Sequence, residues 1–152
     1  MPQSLDCIYL HLVFSTLNRE PWFTGVHLSE MHAYLSGVSR ELGAPTLRVG
    51  GVADHVHLLA RFPRTITVAK WVEGLKSNSS KWFKKSSETQ DHAGFAWQQG
   101  YGVFSVSPSH VDSLVNYIKG QAEHHKKETF QDEYRRLLRK YGMTVDERYM
   151  WG

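Results

Sequence analysis

Two histidines one residue apart, His55 and His57, are the first groups in this sequence equipped for chemistry. In a strand, side chains alternate between faces, so this pair projects from one side while Val56 and Leu58 turn into a core. Imidazole is the commonest side-chain ligand for transition metals, which makes the pair candidate metal ligands; two satisfied strand histidines are the alternative. A second group lies further along. Tyr117 and Gln121 are four residues apart in a segment of helical periodicity, one above the other on a face offset from the stripe Val111, Leu114, Val115, Ile118 and Ala122. Core packing does not explain them, although a boundary tyrosine and a solvated glutamine would look the same. His124 falls on nearly the same face as Tyr117, where it lines a site or meets solvent or a phosphate.

A third group is basic. Lys70, Lys76, Lys81, Lys84 and Lys85 interleave with Trp71, Trp82 and Phe83 between about residues 65 and 85, and Arg61 precedes them. Cations beside aromatic rings suit a phosphate backbone and unstacked bases; a solvated lysine face over a core tryptophan is the competing reading.

The elements that must position these groups follow from periodicity and punctuation. Leu5 to Ser15 alternates as a strand carrying His11; Val26 to Leu42 is a helix closed by Gly43 and Pro45. Thr46 to Val52 and Ala53 to Phe62 are strands, with Gly50, Gly51 and Asp54 suited to a tight hairpin. A helix capped by Thr65 or Thr67 runs to about Lys85, and Gly102 to Val106 is a fourth strand after Trp97-Gln98-Gln99-Gly100-Tyr101. This order predicts an α+β, ferredoxin-like (RRM-like) antiparallel sheet with helices on one face and the other face open for a site. The tyrosine helix spans about 108–127, with Ser109 and Asp112 at capping-box spacing and Gly120 inside it, marking close approach of another backbone or a flexible point. A charged helix at about 129–141 follows.

Composition sets outer bounds. A chain of 152 residues with 41% hydrophobic and 22% charged residues is one globular domain, 1–152. A net charge of +3 permits a polyanionic partner. The single cysteine, Cys7, makes no internal disulfide, and neither a membrane span nor a leader is evident, so a cytoplasmic setting is expected.

His55-Val56-His57, Trp97-Gln98-Gln99-Gly100-Tyr101-Gly102-Val103-Phe104-Ser105 and Tyr117-Ile118-Lys119-Gly120-Gln121 with His124-His125, in this order, resemble the HUH single-tyrosine transposases of the insertion-sequence 200/605 group. The resemblance implies His55, His57 and Gln121 as ligands of Mg²⁺ or Mn²⁺ and Tyr117 as nucleophile. It also implies single-stranded DNA with hairpins as substrate, and a homodimer that pairs the histidines of one subunit with the tyrosine helix of the other. On that reading cleavage leaves a 5′-phosphotyrosine; if its strand neighbours that of His55 and His57, His11 stands behind the pair, with a structural role in the strand as the favoured alternative. A histidine-triad hydrolase would need His at Leu59, and a two-histidine phosphoesterase would need paired H-x-T or H-x-S motifs, which His55-Val56-His57 is not. The remaining alternatives are a non-cleaving hairpin-binding module on the same fold and a domesticated relative processing repeated hairpin elements.

Overall fold

The structure, a computed structural model, describes residues 2–152. In chain order the elements are β1 (Tyr9–Ser15), α1 (Val26–Glu41), β2 (Thr46–Val52), β3 (His55–Arg61), α2 (Val68–Lys85), β4 (Gly102–Val106), α3 (Val111–Lys119), α4 (Gln121–His124) and α5 (Phe130–Lys140). The strands form one antiparallel sheet in the order β2-β3-β1-β4, the ferredoxin-like arrangement expected from the sequence.

Alternation along β1 and β3 gives the sheet two unlike faces. Leu12, Phe14, Val56, Leu58 and Ala60 bury against Met31 and Leu35 of α1 and Trp71, Leu75 and Phe83 of α2. The two buried indoles keep their N–H groups satisfied: Trp71 donates to Ser39 Oγ (2.9 Å) and Trp97 to Ser79 Oγ (3.0 Å). Thr67 caps α2 by accepting from the Lys70 amide at 3.1 Å.

The second face is not open. Val13 and Phe104 there meet Phe130, Tyr134, Leu137 and Leu138 of α5, the apolar stripe of a helix whose Thr129 caps it through the Asp132 amide at 3.2 Å. Burying each of these large side chains contributes about 1.5–3 kcal/mol, enough to hold α5 over the sheet. The helices α3 to α5 therefore roof the face that carries His11, His55 and His57.

Two local features set the roof's position; β2 has the bounds expected and Asp54 the place expected in its turn, but the two glycines and the tyrosine helix differ from expectation. Gly50 and Gly51 lie within β2, and the turn to β3 is made by Ala53 and Asp54. Gly50 is needed because α3 crosses there: a Cβ would stand 2.6 Å from Ile118 Cγ2 and 2.8 Å from the Ile118 carbonyl oxygen. The expected continuous helix over about 108–127 is instead a 3₁₀ turn (Pro108–His110), α3 and α4, divided at Gly120. Ser109 does not cap α3, and an added Cβ at Gly120 would come no closer than 3.5 Å to any atom, so no backbone crowds it.

Candidate active and metal site

Strand period two puts His55 and His57 on the roofed face, both fully buried. Each ring is gripped through Nδ1. His55 Nδ1 lies 2.8 Å from Asp54 Oδ1, and His57 Nδ1 lies 2.8 Å from His11 Nε2. Tying Nδ1 turns both Nε2 atoms toward one point, the arrangement by which outer partners orient metal-binding imidazoles. His11, for which a structural role was the favoured expectation and a place behind the pair the other, contacts His57 on the strand beside it.

At that point sits Glu133 of α5, with no solvent exposure. Its Oε1 lies 3.3 Å from His55 Nε2, 3.0 Å from His57 Nε2 and 3.1 Å from His125 Nε2. Its Oε2 accepts from Gln121 Nε2 at 3.0 Å and from the Tyr117 hydroxyl. Gln121 is buried, and its Oε1 lies 3.0 Å from His55 Nε2. The donor atoms of His55, His57, His125 and Glu133 all fall within 4.8 Å of one another, so a single cation among them could replace the bonds Glu133 now accepts. Imidazole nitrogens with a carboxylate and a nearby amide oxygen make a mixed nitrogen and oxygen donor set suited to a divalent ion, so the residues fit a metal.

Charge follows the contacts. Burial opposes protonation of His55, but Asp54 and Glu133 outweigh it and raise its pKa to about 9. His57 shifts down, chiefly by burial with His55 and His125 adding to it against the pull of Glu133. His11 is pushed well below the ordinary imidazole value by burial and by His57. The Tyr117 phenol is raised above its ordinary value by burial and Glu133, while Arg136, donating to its oxygen from Nη2 at 2.9 Å, works the other way. Burial opposes ionisation of Glu133, and the three histidines override it to hold the carboxyl far below the usual carboxylate range.

Tyr117, Gln121, His55 and His57 thus meet inside one chain, where the resemblance implied a tyrosine helix from a second subunit. Close by, His124 Nε2 lies 2.5 Å from Glu128 Oε2 and 3.2 Å from Arg136 Nη2, with its ring 5.5 Å from that of Tyr117.

The basic residues expected to bind DNA are elsewhere. Helix α2 packs on the opposite face of the sheet, so Lys70, Lys81, Lys84 and Lys85 are exposed on the far side from the histidines. Lys76 is drawn inward: its ammonium donates to the carbonyls of Gln98 (2.7 Å), Gln99 (3.2 Å) and Gly100 (2.7 Å), and burial pushes its pKa down to about 8. It clamps the loop whose Gln98 side chain accepts from the Ser15 amide at 2.7 Å and so closes the end of β1. Arg61 is bound to Asp6 and lies over the Tyr9 ring at 5.4 Å. The cations beside Tyr117 are Arg136 and Lys140 of α5, which line a cleft of about 460 Å³ with His11 and Tyr117.

Glu133, His125 and Arg136 had no assigned role in the sequence. Glu133 carried a usable signal, a carboxylate in register with Phe130, Tyr134 and Leu137 on the apolar side of its helix, where an acid is retained only with partners.

Comparison with known proteins gives a family and two structural neighbours. Residues 4–121 match the family model described as "Transposase IS200 like". Among solved structures, a candidate transposase from Deinococcus radiodurans R1 superposes with a TM-score of 0.62 at 18% identity, covering 80% of this chain and 95% of that one. A REP-associated tyrosine transposase bound to a REP hairpin superposes with a TM-score of 0.60 at 11% identity, covering 82% of this chain and 72% of that one. No curated protein matches the sequence. Among the described residues, no helix is long and apolar enough to cross a membrane.

Proposed function

This chain belongs to the IS200-like transposase family, and from that premise we propose that it cuts and rejoins single-stranded DNA through a covalent link to Tyr117. The observation that carries the proposal is the meeting of the Tyr117 hydroxyl with His55, His57 and Gln121 around one buried carboxylate. The neighbour that binds a REP hairpin supports hairpin-bearing DNA as the substrate.

Attack by the Tyr117 oxygen on phosphorus forms a tyrosyl O–P bond and breaks the bond from phosphorus to the 3′ oxygen, which leaves as a 3′-hydroxyl. The phenol passes its proton to solvent as it attacks and the departing 3′ oxygen takes one from solvent, while Glu133, by accepting from the Tyr117 hydroxyl, holds the phenol in place beforehand. Arg136, at 2.9 Å from the phenol oxygen, offsets negative charge growing there and on the phosphate. His55, His57 and Gln121, joined by His125 and Glu133, would hold a divalent ion, Mg²⁺ or Mn²⁺. Such an ion polarises and orients a bound phosphate. Reversal by another 3′-hydroxyl rejoins strands with no ATP, since the phosphotyrosine keeps the energy of the broken diester.

One chain supplies both halves of the site, which supports cleavage in cis even if the protein pairs into a homodimer. The test is a denaturant-stable protein–DNA adduct formed with single-stranded DNA from the ends of the element and Mn²⁺ or Mg²⁺. Tyr117→Phe is expected to abolish it, and His55→Ala or His57→Ala to reduce it at least about a hundredfold, the scale on which losing a charge-stabilising group acts. Adduct from Tyr117→Phe refutes the nucleophile, and full cleavage by both histidine variants refutes the metal site.

A further inference from the structure

The cleft beside Tyr117 shares Tyr117 and Arg136 with the chemistry above, but the rest of its lining has no role there. It opens between the end of β4, α3 and α5, with His11 at its base and Tyr117 in its wall. We propose that it seats one unpaired DNA nucleotide, the one adjoining the phosphate that Tyr117 attacks. The inference rests on the cleavage reading and adds to it the place where the strand is held.

Size, chemistry and position support this occupant. The volume, about 460 Å³, falls among small-molecule sites of roughly 300–1,000 Å³ and is too small for a base pair with its backbones. Leu114, Leu137 and Tyr141 give the cleft an apolar side for a base, while Arg136 and Lys140 bring cations for its phosphates. Tyr141 is 41% exposed yet held in orientation: its ring stacks on Phe104 at 4.6 Å with 19° between planes, and its hydroxyl donates to the Ser105 carbonyl at 3.4 Å. An aromatic ring fixed before the ligand arrives loses little freedom on stacking with a base.

Position adds the link to catalysis. Arg136 reaches the Tyr117 oxygen and also borders the cleft, so a phosphate at the rim meets the nucleophile and the guanidinium together. His11 connects the base of the cleft to His57 through the 2.8 Å contact between their rings. A nucleotide seated there would fix which phosphodiester is presented to Tyr117, so the cleft selects the point of cleavage along the strand.

The experiment measures binding without cleavage. Fluorescence anisotropy of labelled (dT)₆ and of a fully abasic hexamer is recorded in EDTA with the full chain. Tyr141→Ala is expected to weaken (dT)₆ binding at least about tenfold, the effect of losing one stacked base, and Tyr141→Phe to restore it. Lys140→Ala is expected to weaken binding and flatten its salt dependence by about one phosphate contact. The abasic hexamer should bind the wild type weakly and be indifferent to Tyr141→Ala. Unchanged (dT)₆ binding by Tyr141→Ala, with a wild-type thermal melt, overturns the proposal, as does an abasic hexamer bound as tightly as (dT)₆. Either result can stand beside normal adduct formation at Tyr117, whereas failure of the cleavage reading shows as no adduct with hexamer binding intact.

Discussion

Replacing Glu133 with Gln keeps the shape of the side chain and removes the one negative charge on which His55, His57, His125 and Tyr117 converge. The magnitude can be worked from His55. Its pKa stands at about 9 against an ordinary 6.5, and at about 1.4 kcal/mol per tenfold this amounts to about 3 kcal/mol shared between Asp54 and Glu133. Glu133 also serves Gln121 and Tyr117, and Gln would turn an amide N–H toward donors that need an acceptor. Together these put the cost of Glu133→Gln at about 2–4 kcal/mol without metal, near the range for breaking a buried charge pair. The pH dependence has a definite sign. Because folding raises the His55 pKa, its contribution is complete below pH 6.5 and fades as pH rises to about 9. The gap between wild type and variant should therefore be widest at pH 6 and close by about 2 kcal/mol toward pH 9. Urea melts in EDTA across that range measure it. A gap under about 0.5 kcal/mol at pH 6, or one that stays constant to pH 9, refutes the reasoning.

Three further outcomes are expected. Mixing Tyr117→Phe with His57→Ala protein should not restore adduct formation, since Tyr117 meets the Glu133 that binds His55 and His57 of its own chain; recovery to a sizeable fraction of wild type would mean that subunits exchange tyrosine helices. Gly50→Ala should cost about 1–3 kcal/mol in a thermal melt and depress adduct yield well beyond that loss, because its Cβ would press on Ile118, next to Tyr117. Lys76→Met should lower stability by about 1.5–3 kcal/mol in urea through loss of its hold on residues 98–100, while leaving the salt dependence of single-strand binding unchanged.

The parts of the fold governed by local period were legible in the sequence. Alternation around His55 and His57 put both on one face, and the i, i+4 spacing of Tyr117 and Gln121 put those two on one face of their own, because strand and helix geometry decide such relations; that the two faces meet was implied only by the family resemblance. What was not legible depended on which surfaces meet. The stripe Phe130, Tyr134, Leu137 and Leu138 demands a partner, but its pattern does not say that the partner is the sheet, so a face expected to be open is roofed. Lysines follow the same logic: Lys76 reads like its neighbours on α2 until the 98–100 loop folds over it. Ser109 had the spacing of a cap, yet the chain turns 3₁₀ there and starts the helix later, a choice between conformations too close in energy for spacing to resolve.

Those long-range meetings also explain why the two halves of the site can reside in one chain. Gly50 lets α3 lie against β2, which brings Tyr117 down to the histidines. Short α4 then turns His125 inward, and α5 returns across the sheet with Glu133 among its apolar residues. Glu133 accepts from Tyr117 and Gln121 and meets β3 through His55 and His57, so the group that gathers these side chains also fastens the roof. A subunit that donated its tyrosine helix to a partner would have to break the bonds from Tyr117 and Gln121 to Glu133. The same contacts that build the site therefore hold it together within the chain.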